Sequence, residues 1–374
     1  MAGIYIHIPF CKKACHYCDF HFSTQLDNTS RLVDALLMEI ELQRQYLKGE
    51  EIATIYFGGG TPSLLDRSEL EKVIQKIHST FSVNPTAEFT LEANPDDLSL
   101  LKLAELKSMG VNRLSIGIQS FDDTVLRFLN RVHDSGEAIR SVDNSRKAGI
   151  DNVSIDLIYA IPGQREEQWR KNIETGIALE PTHISSYSLT IEEKTVFGNW
   201  TKAGKFFPVE DDLAAGQLET LVDMLGHADY HQYEVSNFAK PGFESQHNSS
   251  YWRRRKYLGI GPSAHSYNHL SRQYNIRSNH LYIQSLEKGI IPFEQELLTR
   301  ENHVNEYLLT TLRTDWGADL ETLNTEWSYD LLREKQLYVQ TLMDNQLANI
   351  ENMHLTLTRK GKLLADQIAA DLFL

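Results

Sequence analysis

Cysteine is nearly absent from this 374-residue chain: there are three, Cys11, Cys15 and Cys18, all within one eight-residue stretch. An odd count confined to one stretch excludes an internal disulfide framework and fits a reducing compartment, so a cytoplasmic location is expected. Long apolar runs are also missing. None approaches the roughly 20 residues that span a bilayer, so no integral membrane segment is expected. The opening Met1-Ala-Gly-Ile-Tyr5 lacks the charged and apolar regions of a signal peptide. Basic excess is missing as well: 37 Lys and Arg stand against 51 Asp and Glu, a formal net charge of -14 that disfavours nucleic acid as a partner. There is no low-complexity linker and no repeat beyond strand–helix rounds. What remains is an ordinary globular composition, 41% hydrophobic and 24% charged, long enough for about two domains with a real core.

The first half alternates strand and helix. Strands are predicted at Ile4–Ile8, Thr54–Phe57, Ala87–Glu92, Arg113–Gln119, Val153–Ala160 and His183–Ile191. Helices are predicted between them at Ser30–Leu47, Ser68–Phe81, Leu98–Met109, up to Ala148, and at Glu166–Leu179. Six rounds of about 30 residues are the rhythm of a parallel βα architecture. The strands read as only half alternating, several apolar on both faces, as in a sheet covered by helices. A full eight-fold barrel, an open six-fold barrel and a doubly wound sheet all fit, and each puts ligand-bearing residues at the strand C-termini. After residue 205 the pattern changes. Asp211–His227 reads as helix, and Tyr230–Ser236 and Tyr257–Tyr267 as strand and glycine-loop pieces. Val304–Arg313, Asp319–Asn324 and Tyr329–Asp344 read as helices, followed by a short strand at Leu355–Thr358 and a helix from Arg359. The expected division is 1–205 as the barrel core, 206–298 as its extension, and 299–374 as a small, mainly helical, winged-helix-like domain.

Cys11-Lys-Lys-Ala-Cys15-His-Tyr-Cys18 follows the first strand directly. Thiolates are soft ligands that select iron–sulfur clusters, zinc or Cu(I). Three on one tight loop suit three irons of a [4Fe–4S] cube, leaving the fourth iron open to a non-protein ligand. A Cys3His zinc site completed by His7, His16 or His21 is the competing reading.

The Cys-x3-Cys-x2-Cys spacing after a first strand resembles the signature of radical S-adenosylmethionine (SAM) proteins. The string Tyr5-Ile-His-Ile-Pro-Phe-Cys11 narrows the resemblance to the oxygen-independent coproporphyrinogen III oxidase-like family. It continues through Gly58-Gly59-Gly60-Thr61-Pro62, Glu92-Ala-Asn-Pro95, Gly117-Ile-Gln119-Ser-Phe121, Asn130-Arg131 and Asp156-Leu-Ile-Tyr-Ala-Ile-Pro162. Any one of these is a weak signal; their order and spacing together are specific. The resemblance implies a partial parallel (β/α)6 TIM-like barrel, a [4Fe–4S] cluster on Cys11, Cys15 and Cys18, and reductive cleavage of SAM.

The resemblance also implies which residues meet SAM. Gly59, Gly60 and Thr61 would contact its amino end, and Tyr5 would lie beside the cluster. Glu92 would face the ribose hydroxyls or the amino group. Gln119 and Asp156, at the next two strand ends, carry groups able to bond a sugar or adenine edge. Arg131 would pair with the SAM carboxylate through its guanidinium fork. Without the pattern, each would be an ordinary turn, strand-end charge or surface ion pair.

Two departures separate the chain from the true oxidases. They carry a further cysteine where this chain has Phe20, and an extension before the position of Tyr5. Both fit a sister branch of haem chaperones. His247-Asn248-Ser-Ser-Tyr251-Trp252 is similar to the His-Asn-x-x-Tyr-Trp motif of that branch. Histidine is a standard axial ligand of haem iron, and aromatics cover a porphyrin face. His247 is therefore the first candidate haem ligand, and His265, in Gly259-Ile-Gly261-Pro-Ser-Ala-His265, the second. Arg253-Arg254-Arg255-Lys256 is either a solvated charge run or a partner for propionates. The expected function is haem binding and delivery to acceptor proteins, with membrane-bound respiratory enzymes the expected clients, without oxidase activity. An active radical SAM enzyme on a porphyrin-like substrate, of the coproporphyrinogen decarboxylase type, is the alternative. A zinc-bearing interaction protein is the third reading.

Overall fold

The computed structural model describes residues 1–374. The first half runs β1 (Ala2–Ile8), α1 (Thr29–Leu42), β2 (Ile52–Gly59), α2 (Arg67–Thr80), β3 (Val83–Ala93), α3 (Leu100–Ser108), β4 (Arg113–Gln119), α4 (Asp123–Phe128), α5 (Ser135–Lys147), β5 (Asn152–Tyr159), α6 (Glu166–Ala178) and β6 (His183–Ser188). The chain continues through α7 (Val196–Lys202), α8 (Asp211–His227), β7 (His231–Glu234), β8 (Asn237–Ala239), α9 (Gln246–Trp252), β9 (Tyr257–Ile260), β10 (His265–Tyr267), β11 (Ser271–Asn275), α10 (Asn279–Leu286) and β12 (Phe293–Leu297).

All twelve strands form one sheet in the order β12-β11-β10-β9-β1-β2-β3-β4-β5-β6-β8-β7. β1 to β6 are parallel and sequential. With every crossover turning the same way, right-handedness lays all the helices on one face. A doubly wound sheet would need a reversal of strand order, and there is none. β8 pairs antiparallel to β6, so the barrel stays a six-fold arc and does not reach eight parallel strands. On the other side β9 adds parallel to β1.

The faces of the sheet differ in chemistry. Ile4, Ile6, Ile8, Ile55, Phe57, Leu91, Leu114, Ile116, Ile155 and Ile184 point toward the helices and join the main core. The inner face carries polar side chains in register: Tyr5 beside Tyr56, Tyr56 beside Thr90, Thr90 beside Arg113, and Ser154 beside His183. Most strands alternate, but β5 buries Leu157, Ile158 and Tyr159 in a row, so the expected half-alternation with apolar residues on both faces holds there. Glycine, serine and tyrosine on the inner rows blur the alternation in the sequence.

A second core of 17 buried residues gathers between Val304 and Leu372. Its order is α11 (Arg300–Thr311), β13 (Ala318–Asp319), α12 (Leu320–Trp327), α13 (Leu331–Glu334), α14 (Gln336–Asp344), β14 (Ala348–Glu351), β15 (His354–Leu357), α15 (Arg359–Lys362) and α16 (Ala365–Asp371). Helix, strand, helices and a hairpin, followed by two short terminal helices, give the winged-helix-like pattern, with a β13-β15-β14 sheet.

Candidate functional site

The strand C-termini of β1 to β6 open onto a cavity of about 510 Å³. The three cysteines line it from the β1–α1 loop, Gly59, Gly60, Thr61, Glu92 and Gln119 from the ends of β2, β3 and β4, and Arg131 from the α4–α5 loop; Asp156, expected at a strand end, reaches it from the middle of β5. Local geometry explains the glycines. A Cβ on Gly60 would lie 2.6 Å from the Phe10 carbonyl oxygen, so only glycine lets the β2 end meet the start of the cysteine loop. Gly59 has φ +107°, a left-handed conformation that favours glycine, and its N–H donates to Glu92 Oε2 at 3.1 Å. Gln119 ends β4 at φ +68°, which turns the chain at the cavity rim.

Each thiol has a supporting neighbour or a polar setting. Thr61 Oγ1 donates to Cys11 Sγ at 3.6 Å, and Arg131 Nη1 approaches Cys15 Sγ at 3.5 Å. Asn130 Nδ2 holds the Ala14 carbonyl at 2.7 Å. Arg131 Nη2 donates to Asn94 Oδ1 and to the Gly117 carbonyl, both at 2.6 Å. Its Nε is buried without a partner, a donor left for something the protein does not supply. Burial pushes the Cys18 thiol up to about 12 and raises Cys11 too, so thiolates here need a cation beside them.

The carboxylates form a second zone. Glu92 accepts from Tyr56 Oη at 2.7 Å, and burial, with Asp156 nearby, raises its pKa to about 7. Burial raises Asp156 to about 6, opposed by Arg113. Glu92 can donate or accept toward a polar ligand near neutrality, whereas Asp156 is mainly an acceptor there. Arg113, Ser115, Asn94 and Ser185 line the same cavity and escaped the sequence reading. Asn94 lay inside a quoted motif, and the others sit in the inward rows that strict alternation would have flagged.

This donor set fits a cluster with SAM better than a zinc ion. Of the histidines proposed for zinc, His7 is bonded through both ring nitrogens, to Tyr5 Oη and the His21 carbonyl, while His16 Nδ1 bonds the Phe128 carbonyl and His21 Nε2 Asn279 Oδ1.

The residues expected to handle haem do not come together. His247 lies on α9, whose first-turn N–H groups at Gln246 and His247 both donate to the Glu88 carboxylate at 3.0 Å. His247 is 1% exposed, and both ring nitrogens are hydrogen bonded, Nδ1 with Thr54 Oγ1 at 2.7 Å and Nε2 with Tyr251 Oη at 2.8 Å. Asn248 lines the cysteine cavity. The Trp252 ring carries the Arg313 guanidinium at 5.6 Å. Tyr5, Tyr251 and His265 line a different cavity of about 620 Å³.

A profile of the radical SAM superfamily matches residues 5–175. The similarity to named proteins runs further. "Heme chaperone HemW" of Bacillus subtilis is 34% identical over 371 residues, covering 98% of this chain and 98% of that protein. The chain belongs to the HemW family of radical SAM proteins. The HemW protein of Lactococcus lactis is 35% identical, covering 97% of this chain and 95% of that one. Among solved structures, the Escherichia coli coproporphyrinogen III oxidase HemN superposes with a TM-score of 0.85 at 23% identity, over 100% of this chain and 90% of that one. That likeness concerns the fold. Radical SAM membership implies a [4Fe–4S] cluster and SAM as cofactors, and no helix is long and apolar enough to cross a membrane.

Proposed function

We propose that this HemW-family protein binds haem on a radical SAM scaffold and delivers it to acceptor proteins, respiratory enzymes among them, without coproporphyrinogen oxidase activity, in the cytoplasm. The carrying observation is the similarity to a protein named a haem chaperone over 98% of both chains, reaching well past the radical SAM segment. Phe20 supports the lack of oxidase activity, because it stands where the oxidases carry a further cysteine.

In this reading Cys11, Cys15 and Cys18 hold the cluster, and Gly59, Gly60, Thr61, Glu92, Gln119, Arg131 and Asp156 hold SAM, with Tyr5 nearby. When bound, the pair supplies one-electron reduction and an open iron for the amino acid end of SAM. The chain's own work is positional. Thr61 and Arg131 buttress the thiols. Glu92, tied to Tyr56 and the Gly59 N–H, presents a fixed acceptor. The arc of strands shields these groups from bulk water.

A second reading, an active radical SAM enzyme on a porphyrin-like substrate, draws support from the complete polar lining of the cofactor cavity. The test is anaerobic reconstitution with iron and sulfide, followed by haem titration, haem transfer to an apo-acceptor, and product analysis with SAM, reductant and coproporphyrinogen. Stoichiometric haem, transfer and no product are expected. An intact cluster without haem binding overturns the chaperone reading in favour of the enzyme.

A further inference from the structure

The second cavity, about 620 Å³, lies beyond Tyr5, between the cysteine loop, the β9–β11 edge and α11. Its charge runs against the rest of the molecule. Four guanidiniums (Arg254, Arg255, Arg272 and Arg277) face it, against two carboxylates, Asp19 and Glu306, in a chain of formal charge -14. Arg272 is paired with Glu306 at 2.6 Å, and Arg277 with Asp19 at 3.5 Å. Arg254 and Arg255 have no carboxylate partner. Arg254 lies 5.0 Å from the Trp327 ring centroid; its Nη2 donates to Tyr267 Oη at 2.9 Å and to His303 Nδ1 at 2.5 Å, while its Nε is buried and unbonded. The surplus of two positive charges suits a dianion.

The rest of the lining suits a flat aromatic body. Tyr251, Tyr257 and Tyr267 form a connected aromatic wall, with centroid spacings of 4.6 and 6.3 Å. Phe20, 72% exposed, reaches both this cavity and the cysteine cavity. His265 opens β10 at the rim. Its imidazole is exposed, stacks on Tyr274 at 5.6 Å and makes no hydrogen bond. The loop that delivers it is fixed by close approach: a Cβ on Gly259 would lie 2.0 Å from the His265 carbonyl oxygen.

We propose that haem occupies this cavity, not the surroundings of His247, with His265 facing the iron and Arg254 and Arg255 facing the two propionates. The proposal rests on the haem-binding reading above. A planar macrocycle with two carboxylates and an imidazole-seeking metal matches the wall, the charge surplus and the free ring nitrogens together.

The test is titration of the full chain, cluster reconstituted, with hemin and with hemin dimethyl ester, followed by Soret absorbance. Hemin should bind one-to-one. His265→Ala should shift the Soret band and weaken binding at least about tenfold. Arg255→Ala should weaken it about fivefold, and the ester should bind at least about tenfold more weakly than hemin. His265 and Arg255 are exposed, and the ester comparison needs no substitution, so folding does not confound the result. Hemin binding that is indifferent to both substitutions and to esterification overturns this cavity while leaving the haem reading intact. No hemin binding by the unsubstituted chain overturns the haem reading itself.

Discussion

Replacing His247 with alanine should destabilise the protein by about 3–5 kcal/mol. The imidazole bridges two elements, accepting or donating at Thr54 Oγ1 (2.7 Å) and at Tyr251 Oη (2.8 Å), while its ring stacks on Tyr56 at 5.0 Å. Burial lowers its pKa to about 3, so the ring is neutral and one nitrogen donates while the other accepts. Alanine strands a buried threonine hydroxyl and the Tyr251 hydroxyl, at about 1–3 kcal/mol each, and adds a void. For a chain of this size the loss corresponds to a fall of roughly 4–8 °C in melting temperature. Calorimetry of the cluster-free protein at pH 7.5 measures it. The pH dependence sharpens the test. Between about pH 6.5 and 3 the unfolded chain takes up a proton that folded His247 refuses, so the histidine's contribution is full above pH 6.5 and fades as the pH falls. The gap between native and variant should therefore narrow from pH 7.5 to pH 5. A melting temperature within 1 °C of native, or a gap that widens in acid, would refute a structural role for this ring.

Other perturbations read the cofactor cavity and the core. Gly60→Ala pushes a methyl group to 2.6 Å from the Phe10 carbonyl oxygen, so iron and sulfide retained on reconstitution should fall severely; a native cluster content contradicts the close approach. Cys15→Ser should abolish cluster assembly, and retained iron and sulfide would remove Cys15 from the ligand set. Arg131→Ala deletes the bonds to Asn94 and Gly117 and should weaken SAM binding at least about tenfold in calorimetric titration, where unchanged affinity excludes it from the site. Glu39 is buried, accepts from the Gly261 N–H at 2.8 Å and Asn275 Nδ2 at 2.7 Å, and burial raises its pKa to about 7. Native stability from this group therefore declines as pH rises from 4.5 through 7, on the order of 3 kcal/mol. Glu39→Gln escapes that decline, so its penalty should be larger at pH 5 than at pH 8 by thermal denaturation, and a pH-independent penalty contradicts the raised pKa.

Much of the scaffold was legible because it is local. The period of α8 and the edges of β4 are the same in sequence and structure, Asp211–His227 and Arg113–Gln119. Glycine ends and apolar rhythm carry that information without tertiary help. The strand order was not local: nothing in Tyr257–Ile260 announces that it lies beside β1. The seven residues of α9 lack an apolar stripe, and their helix depends on the Ser245 cap and the Glu88 carboxylate beneath it. The polar lining went unread for a related reason. Glu88, Arg113 and His183 look like surface residues singly and become a buried set only when the strands align. Exposure at the haem candidates was not legible either, because a motif names a residue type and not its burial. His247 is sealed and doubly bonded, whereas the lesser candidate His265 is open.

These polar residues divide the half-barrel into two zones with different duties. In the lower zone most of the groups satisfy one another, with Arg113 Nε an exception at 3.9 Å from Glu88 Oε2. Glu88 caps α9, and His183 joins Ser154 at 2.7 Å and Tyr233 at 2.8 Å. Such a buried network is costly unless closed, and closed it fixes one arrangement of the strands. In the upper zone satisfaction is incomplete: Arg131 Nε lacks a partner, and burial raises the pKa of both Glu92 and Asp156. The lower network thus serves as a rigid floor for the upper, receptive groups. One layer of aromatic rings separates that receptive zone from the arginine-rich cavity. Tyr56 faces the cysteines, Tyr5 faces the arginines, their centroids lie 6.0 Å apart, and His247 stacks against both. A histidine in that position works best as part of a wall between two cavities, because releasing it toward either one would open the partition.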